Sequence, residues 1–453
     1  MNKKSLEQLL FQLREDNRML KEENAYLKFE LEQLKSKRYK SGKKRPPDVP
    51  AISSSPPKKR GGLFGHIGWF RKKPNAINRI EELRLSACPE CGSNDLSECK
   101  KIEKHIQEDI ILPKVEVTMY RRHYYYCRCC KKVVSSKGKD ETPRSYIGPK
   151  AKAFAVFLRY AVKISERDVK ALFAKAFNLT IVPSSIAGFR NSIKREALPI
   201  YNKLKESLRR GCFIHADETG WKVDGKNYWL WKFSNKKVCL SHIDPSRGQK
   251  VVEKIIGDEY KGILISDFLS AYNKIKTKAK QRCLVHIKRD LEKILQYWHD
   301  DKEVTVYCGR LKKILEDAMD LHNEYRTKKQ DVVYRKRRKV LVESLEDFSF
   351  PNPNKRILKR FANRLKRHKN EMLTFLYEKN IDYHNNHAEQ QIRPDVIFRK
   401  VTFGNRSLAG AENHSVIMSI LQTAKLNKID PIPVLENILL HSKQNPFPKA
   451  LPP

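Results

Sequence analysis

The sequence is poor in acidic residues relative to basic ones. Its 453 residues contain 52 Asp and Glu against 93 Lys and Arg, which gives a formal net charge of +41 at pH 7. Solubility requires much less charge, and such an excess causes self-repulsion unless a polyanion neutralises it. Solvated lysine-rich faces are the alternative explanation. The partner that the charge favours is nucleic acid.

Long hydrophobic runs and a secretory signal are also missing. No apolar run approaches the roughly 20 residues that a membrane helix needs, and the start, MNKKSLEQLLFQL, carries a charge every few residues. Six of the ten cysteines lie between Cys88 and Cys130. Without an export signal, this clustering favours metal binding over disulfides. We therefore expect a cytoplasmic, nucleoid-associated protein that makes no contact with a membrane.

Residues 1–35 carry a leucine heptad repeat. The d positions are Leu6, Leu13, Leu20, Leu27 and Leu34, and the a positions between them are Leu10, Asn17, Asn24 and Leu31. Asparagine at a is typical of parallel two-stranded coiled coils. A lone amphipathic helix packed on its own domain is the alternative, but five heptads favour self-association. Residues 36–78 are rich in Pro, Ser, Gly and bases, which predicts a basic flexible linker.

Two cysteine knuckles predict a zinc-binding module over residues 79–147. Cys88-Pro-Glu-Cys91 and Cys127-Arg-Cys129-Cys130 flank a β-rich stretch, Val115 to Tyr126. A tight turn at each knuckle brings two thiolates to one tetrahedral ion at about 2.3 Å. The expected ligands of one structural Zn²⁺ are Cys88, Cys91, Cys127 and Cys130. Substitutes would be Cys99, Cys129 and His123, and buried thiols without a metal are the alternative.

Residues 148–210 read as helices. The segments are AKAFAVFLRYAV, SERDVKALFAKAF and SSIAGFRNSIKREALPIYNKLKESL. Ser165 is the expected cap of the second helix, and Ser184 is expected to open the third. With Arg190 and Lys194 exposed, the pattern is compatible with a helix-turn-helix that reads DNA. An ordinary helical bundle explains it equally well.

Residues 211–440 predict an α/β RNase H-like catalytic domain. Three short β-type runs, CFIHADETGWKVD, NYWLWKFSN and VCLSHIDPS, precede a helical stretch, the run GILISDF and another short run around RCLVHI. Adjacent strand ends in such a sheet would present Asp217 and Asp267 side by side. A Lys- and Arg-rich helical insertion at about 287–382 separates them from Glu389, and residues 441–453 form a tail. The whole chain is therefore multidomain.

Three acids in these places are the ingredients of a two-metal phosphoryl-transfer site. Alone, Asp217 or Asp267 would more often be an ordinary strand-end acid, and Glu389 a solvated helical residue. Their combination favours hard divalent cations, which carboxylate oxygens bind. Glu218 is expected on the other face of its strand, as a supporting or solvated group. His215 is expected on the same side as Asp217, where packing is the simpler role and contact with water or phosphate the other.

The sequence resembles the insertion-sequence-66 family of bacterial and archaeal transposases over essentially its whole length. HADETGW resembles the family's first-Asp motif, and LISDFLSAY its second. HNNHAEQQIRPDVIFRKVTFGNRSLAGAENHSVIMSILQTAKLNKIDP resembles the third-acid block, with AEQQIRP, RK, GA and TAKLN in place. Gln390 departs from the family, which usually has Arg after the Glu.

The resemblance implies Asp217, Asp267 and Glu389 as a catalytic triad with two Mg²⁺ or Mn²⁺ ions. The implied reaction is DNA cleavage and strand transfer at the ends of an insertion sequence, with double-stranded DNA and accessory proteins of the element as partners. Arg393 and Arg399 are expected on scissile-strand phosphates. A non-catalytic DNA-binding regulator derived from a transposase is the alternative, and a different RNase H-like nuclease is a second.

Overall fold

The protein is described from a computed structural model. The residues whose structure it describes are 3–38, 77, 94, 115–121, 123–135, 138, 140–142, 145–326, 328, 331–349, 353, 355–440 and 447. Contacts divide the chain into two units, one of Met1–Glu32 with Leu112–Pro453 and the other of Gln33–Ile111. Among the described residues, no helix is both long and apolar enough to cross a membrane.

The heptad segment is a single helix, α1 (Lys3–Arg38), that packs on its own chain through one face. That face carries Tyr26 and Phe29, which are buried, at heptad positions c and f. The leucine seam points elsewhere: Leu13, Leu20 and Leu27 are each more than half exposed. Helix α1 therefore packs against its own chain on one face, while the leucines of the heptad seam are exposed on another. The coiled coil remains a prediction.

The second cysteine knuckle lies in a small hairpin. Strands β1 (Tyr124–Cys127) and β2 (Lys132–Ser135) pair antiparallel, with Cys127 opposite Lys132. The prediction of a β-rich stretch from Val115 is wrong for most of its length, because residues 115–121 have no regular structure and the strand begins only at Tyr124.

Three helices follow: α2 (Pro149–Phe157), α3 (Glu166–Phe177) and α4 (Pro183–Arg209). Ser165 caps α3, as expected, by accepting a hydrogen bond from the backbone N–H of Asp168. Helix α4 begins one residue earlier than predicted, at Pro183, because proline lacks an N–H and fits the first helical position.

The centre of the molecule is a five-stranded mixed sheet. Its strands are β3 (Phe213–Val223), β4 (Lys226–Ser234), β5 (Cys239–Asp244), β6 (Glu259–Ser266) and β7 (Lys276–Arg282), with helix α5 (Gln249–Ile256) between β5 and β6. Their spatial order is β5-β4-β3-β6-β7. The first three are antiparallel, and β6 runs parallel to both β3 and β7. The predicted succession of three antiparallel strands, a helix and a parallel strand is therefore observed.

The run around RCLVHI is not a strand. Strand β7 ends at Arg282, Cys283 is the N-cap, and helix α6 (Leu284–Tyr297) begins directly after it. This apolar run is too short for its spacing to distinguish a strand from the start of a buried helix. Its continuation has helical spacing, since Leu284, Ile287, Leu291 and Ile294 are all buried.

Helices fill the segment between β7 and the third acid. They are α6, α7 (Lys302–Tyr325), α8 (Val332–Ser349) and α9 (Arg356–His368). Together with Ile263 and Ile265 of β6, they build a hydrophobic core of their own. Leu264, between those two residues, belongs to the other core with α2–α5. Alternation along β6 thus assigns the two faces of the sheet to two cores.

Helices α10 (Asn386–Thr402), α11 (Leu408–Leu426) and α12 (Pro431–Leu440) complete the fold. Helix α10 continues through Pro394. At its end, Phe403 adopts a left-handed conformation and Gly404 has φ 112°. A side chain at 404 would collide with the carbonyl of Lys222, so this turn requires glycine. That accounts for the segment Thr402-Phe403-Gly404 as the C-terminal stop of α10.

Helix α11 covers the outer edge of the sheet with hydroxyl groups. Ser415, Ser419 and Thr423, one helical turn apart, accept hydrogen bonds from the backbone N–H groups of Ile243, Ser241 and Cys239, at 3.2, 2.8 and 3.1 Å. Cys239, Ser241 and Ile243 alternate along β5, and their N–H groups point away from the neighbouring strand β4. A row of side chains thus takes the place of a sixth strand.

A fully buried ion pair joins the sheet to the C-terminal helices. Lys232 of β4 lies 2.8 Å from Asp395 of α10, and both side chains are 0% exposed. His414 donates to the other carboxylate oxygen at 2.8 Å, and Gln422 hydrogen-bonds with both ions. Burial alone would raise the pKa of Asp395, but Lys232 and then His414 outweigh burial and lower this pKa to about 2.

Replacing Lys232 by Met should lower the free energy of unfolding by about 3–5 kcal/mol, because the substitution leaves a buried carboxylate without its partner. Urea unfolding followed by tryptophan fluorescence measures this loss. Lys236→Met, on the exposed loop after β4, is the matched control. A loss no larger than that of the control would contradict the assignment.

Candidate functional site

The first two acids lie level with each other on neighbouring parallel strands. The register pairs Phe213 with Ile263 and His215 with Ile265, an offset of 50 residues. The same offset places Asp217 of β3 beside Asp267, the residue that follows β6. Both side chains are partly exposed. The sheet therefore brings the two predicted carboxylates together, but only Asp267 follows a strand end, because β3 continues past Asp217 to Val223.

The third acid comes from the first turn of α10, which packs against β3 and β4. Its proximity is seen in the electrostatics, since Glu389 contributes to raising the pKa of Asp217. The Oε1 atom of Glu389 is buried and has no hydrogen-bond partner. Because buried polar atoms are nearly always paired, this oxygen marks a place for a ligand.

Asp217 is the most perturbed carboxyl of the three. Burial, then the neighbouring charges of Glu218, Asp267 and Glu389, raise its pKa to about 8, although the backbone N–H of Glu218 donates to it at 2.9 Å. Such a concentration of acids cannot hold all its negative charges without a cation. The site is therefore electrostatically prepared for a positive ion.

Glu218 is not solvated, contrary to one of the two expectations for it. Its side chain is 2% exposed and lies 2.7 Å from Arg247, which in turn stacks on the ring of Trp229. The hydroxyl of Tyr272 donates to it at 3.0 Å. Burial and the charge of Asp267 raise the pKa of Glu218. It is a fourth, buried acid of the site, held by its own partners.

Asn385 holds the pieces of the site in place, and the sequence analysis missed it. Its amide donates to the carbonyl of Ala216 at 2.8 Å, next to Asp217. Its amide oxygen is 3.1 Å from Nδ1 of His215, and its carbonyl accepts from the N–H of Glu389 at 3.2 Å. One buried side chain thus connects the strand of the first acid to the helix of the third.

His215 belongs to this support. It is 4% exposed, and its ring centre lies 5.1 Å from that of His387, with the two rings tilted by 48°. Burial, then the neighbouring His387, lowers its pKa to about 4, so the ring is neutral and donates through Nδ1. Packing, rather than contact with water or phosphate, is what the structure shows for this residue.

The described half of the zinc module fits a metal knuckle. Cys127 ends β1, and Cys129 and Cys130 lie exposed in the turn before β2, where Lys131 has φ 54°. A tight turn of this kind presents thiols to one ion. Cys88 and Cys91 lie outside the described residues.

Comparison with known proteins identifies the family. Residues 144–413 match the model described as "Transposase IS66 family". This chain belongs to the IS66 transposase family. Residues 86–131 also match the zinc-finger binding domain of transposase IS66, so the module binds zinc. These two matches support the DNA-binding role expected of a transposase.

Two relatives of this IS66 family member come from Sinorhizobium fredii. Uncharacterized protein y4hP is 20% identical over 400 residues, covering 80% of this chain and 71% of the relative. Uncharacterized protein y4qI is 22% identical over 428 residues, covering 86% and 75%. The similarity therefore extends well beyond the segment that the transposase model covers.

Most of the basic residues predicted to bind DNA make contacts within the chain. Arg190 is 2.8 Å from Glu166, and Lys194 is 2.6 Å from Glu412, so both are paired within the chain instead of being freely exposed. Arg399 donates to the carbonyl of Gly220 and thereby ties α10 to β3. Arg393 is exposed. Contact of these residues with DNA remains a prediction, and Arg393 is the best placed.

The ring of Trp221, four residues after Asp217 on β3, has no exposed face on which a DNA base could stack. It is 2% exposed, and its indole N–H donates to Asn405 at 2.7 Å. The backbone N–H of Asn405 also donates to the carbonyl of Lys222 at 2.9 Å, and its carbonyl accepts from the N–H of Asp224 at 2.8 Å. The GNR segment after α10 thus closes the end of β3.

The carboxylate oxygens of Asp217, Asp267 and Glu389 fit Mg²⁺ or Mn²⁺, because hard cations prefer carboxylates. Since Asp217 is protonated below about pH 8, binding must release its proton. The affinity for Mn²⁺ should therefore rise with pH, about tenfold per unit, and level off near pH 8. Titration calorimetry measures this. Asp217→Asn should lose the pH dependence, while Asp258→Asn, at the other end of β6, should keep it.

Proposed function

We propose that this protein is an active transposase that cleaves DNA at the ends of its element and joins them to target DNA. The main support for the proposal is that Asp217 on β3, Asp267 after β6 and Glu389 on α10 lie close to one another. The strand order, with three antiparallel strands and two parallel ones around β3, supports an RNase H-like catalytic domain. The net charge of +41 supports DNA as the substrate and a place on the nucleoid.

Asp217, Asp267 and Glu389 would hold two divalent cations. When bound, such ions lower the pKa of an attacking water and stabilise the leaving 3′-oxygen. Asp217, on the central strand, would lose its proton when it binds a cation. Asn385 and His215 keep the strand and the helix at a fixed separation. Glu218, held by Arg247 and Tyr272, adds negative charge beside the other acids.

The same set of residues serves both proposed steps. Water would be the nucleophile in cleavage, and the freed 3′-hydroxyl would replace it in strand transfer. Both reactions exchange one phosphodiester oxygen for another, so no covalent link to the protein is needed. Arg393, which is exposed and lies one turn after Glu389 on the same helix, would bind phosphate of the DNA.

Asp267→Ala should lower the rate of strand cleavage by at least about 10³-fold, because several kcal/mol of charge stabilisation are lost. The assay uses labelled DNA from the ends of the protein's own element with Mg²⁺, Mn²⁺ or a chelator. Asp258→Ala, an exposed acid before the same strand, should retain full activity.

The alternative function, a DNA-binding regulator, predicts a different result from the same assay. Specific binding to the element's ends without cleavage under either metal would favour the regulator. Cleavage that Asp267→Ala leaves unchanged would place the chemistry elsewhere in the protein. Specific joining of the DNA ends, lost with Asp267→Ala, is the outcome that our proposal requires.

We further propose that the protein self-associates through α1. The face of this helix that carries Tyr26 and Phe29 is fixed to the chain's own helices: Phe29 packs on Trp298 at 4.8 Å, and Glu23 pairs with Arg356 at 2.6 Å. The leucine seam is left for a second copy, as a parallel two-stranded coiled coil requires. Accessory proteins of the element would be further partners.

Replacing Leu13 and Leu20 together by Lys should convert the dimer to a monomer, since charges at d positions face each other across the seam. Light scattering after size exclusion measures the mass. Met19→Lys is the control, because Met19 is 61% exposed but lies off the seam. A doubly substituted chain that keeps the wild-type mass would exclude the seam as the interface.

The zinc ligands are proposed to be Cys88, Cys91, Cys127 and Cys130. Four thiolates leave no open coordination position, so this ion would be structural. The hairpin that carries the second knuckle supports the proposal, because Cys127 ends β1 and Cys130 lies in the turn that follows it.

A further inference from the structure

Three ligands suited to a softer metal meet where two helices begin. Cys283 caps α6, His286 lies in its first turn, and Glu389 lies in the first turn of α10. One ligand atom from each, the sulfur, an imidazole nitrogen and a carboxylate oxygen, lies within 4.8 Å of the others. Cys283 is buried, while His286 and Glu389 are partly exposed, so solvent reaches the cluster.

The backbone fixes these positions. The N–H of Cys283 donates to the carbonyl of Ser266 at 2.9 Å, which ties the cluster to the end of β6. Leu284 donates to the carbonyl of Tyr383 at 2.9 Å, and the N–H of Asn385 donates to the sulfur of Cys283 at 3.3 Å. The starts of α6 and α10 are thereby joined. Ligands on joined, rigid elements need little rearrangement to close on an ion.

Two atoms of the cluster lack partners. Nδ1 of His286 and Oε1 of Glu389 are both buried without a hydrogen bond. Two unpaired polar atoms on residues beside one thiol favour a cation as their shared partner, because buried polar groups are usually paired. Sulfur and imidazole select Zn²⁺ or a similar metal, not Mg²⁺. Bonds of about 2.0–2.3 Å would require only a small closure of the three side chains.

We propose that Cys283, His286 and Glu389 bind a thiophilic divalent cation such as Zn²⁺, and that this ion withdraws Glu389 from Asp217 and Asp267. Binding releases the thiol proton of Cys283 to solvent. The site is separate from the zinc module, which uses other cysteines. Because Glu389 serves both sites, the softer metal inhibits DNA cleavage. This inhibition rests on the proposed function, whereas the binding of the metal does not.

Cobalt binding tests the site directly. The full chain, with its zinc module loaded, is titrated with Co²⁺, and the absorption of thiolate-bound cobalt is recorded. Zinc content before and after shows that the module kept its ion. The wild type should bind one additional Co²⁺, and Cys283→Ala and His286→Gln should each weaken this binding roughly tenfold or more.

Cys308→Ala is the matched control, since it removes a buried thiol of α7 and should bind Co²⁺ like the wild type. Thermal unfolding of each variant verifies folding, and Cys283→Ser replaces Cys283→Ala if the latter fails to fold. The site is excluded if the wild type takes up no additional Co²⁺, or if the folded Cys283 and His286 variants bind it equally well.

Inhibition is tested in the cleavage assay at fixed Mg²⁺. The Zn²⁺ concentration that halves the rate should be roughly tenfold higher or more for Cys283→Ala than for the wild type, and unchanged for Cys308→Ala. Equal inhibition of the wild type and Cys283→Ala would overturn the inhibitory role. Cobalt binding in a protein that cleaves no DNA would instead reject the proposed function and leave the metal site standing.

Discussion

The buried ion pair between Lys232 and Asp395 is the interaction on which the arrangement of the candidate site depends. Lys232 is the cross-strand neighbour of Asp217 on the central strands. Asp395 lies on α10, the helix that presents Glu389. The pair therefore fixes the third acid relative to the first from the protein interior. Its partners, His414 and Gln422, extend the same constraint to α11.

A fully buried ion pair adds little net stability, since the cost of desolvating two charges offsets most of their attraction. Its value here is geometric. Apolar contacts alone would allow α10 to shift slightly along the sheet. The carboxylate of Asp395, in contrast, can bond with all of its partners in only one position of the helix. A site of converging carboxylates repels itself and tends to spread. A rigid polar connection behind the site opposes that tendency.

Much of the fold was readable from the sequence because its signals are local. The strand succession follows from short β-type runs, and Asp217 and Asp267 were found because each directly follows a short group of apolar residues within such a run. The run after β7 was misread, since four apolar residues fit a strand or a buried helix equally well. Family resemblance, more than periodicity, supplied Glu389.

What the sequence could not give depends on contacts between distant segments. Asn385 looks like one more polar residue in HNNHAEQ, yet it touches the strand that precedes Asp217. The pairing of Lys194 with Glu412 joins residues 218 positions apart, so no local pattern shows that the lysine is already neutralised. For Glu218 the sequence left a supporting and a solvated role open, because alternation alone says nothing of Arg247 and Tyr272, which enclose its side chain.

The hydroxyl row of Ser415, Ser419 and Thr423 has a consequence for how two copies of the chain can meet in a concentrated solution. An open edge of a sheet is a template on which another chain adds as a strand, and crowding promotes such addition. On β5 the amides are already occupied by side chains of α11. The opposite edge strand, KTKAKQR, is rich in lysine, and like charges keep two such edges apart. Neither edge of the sheet is therefore a ready template for a strand of a second copy.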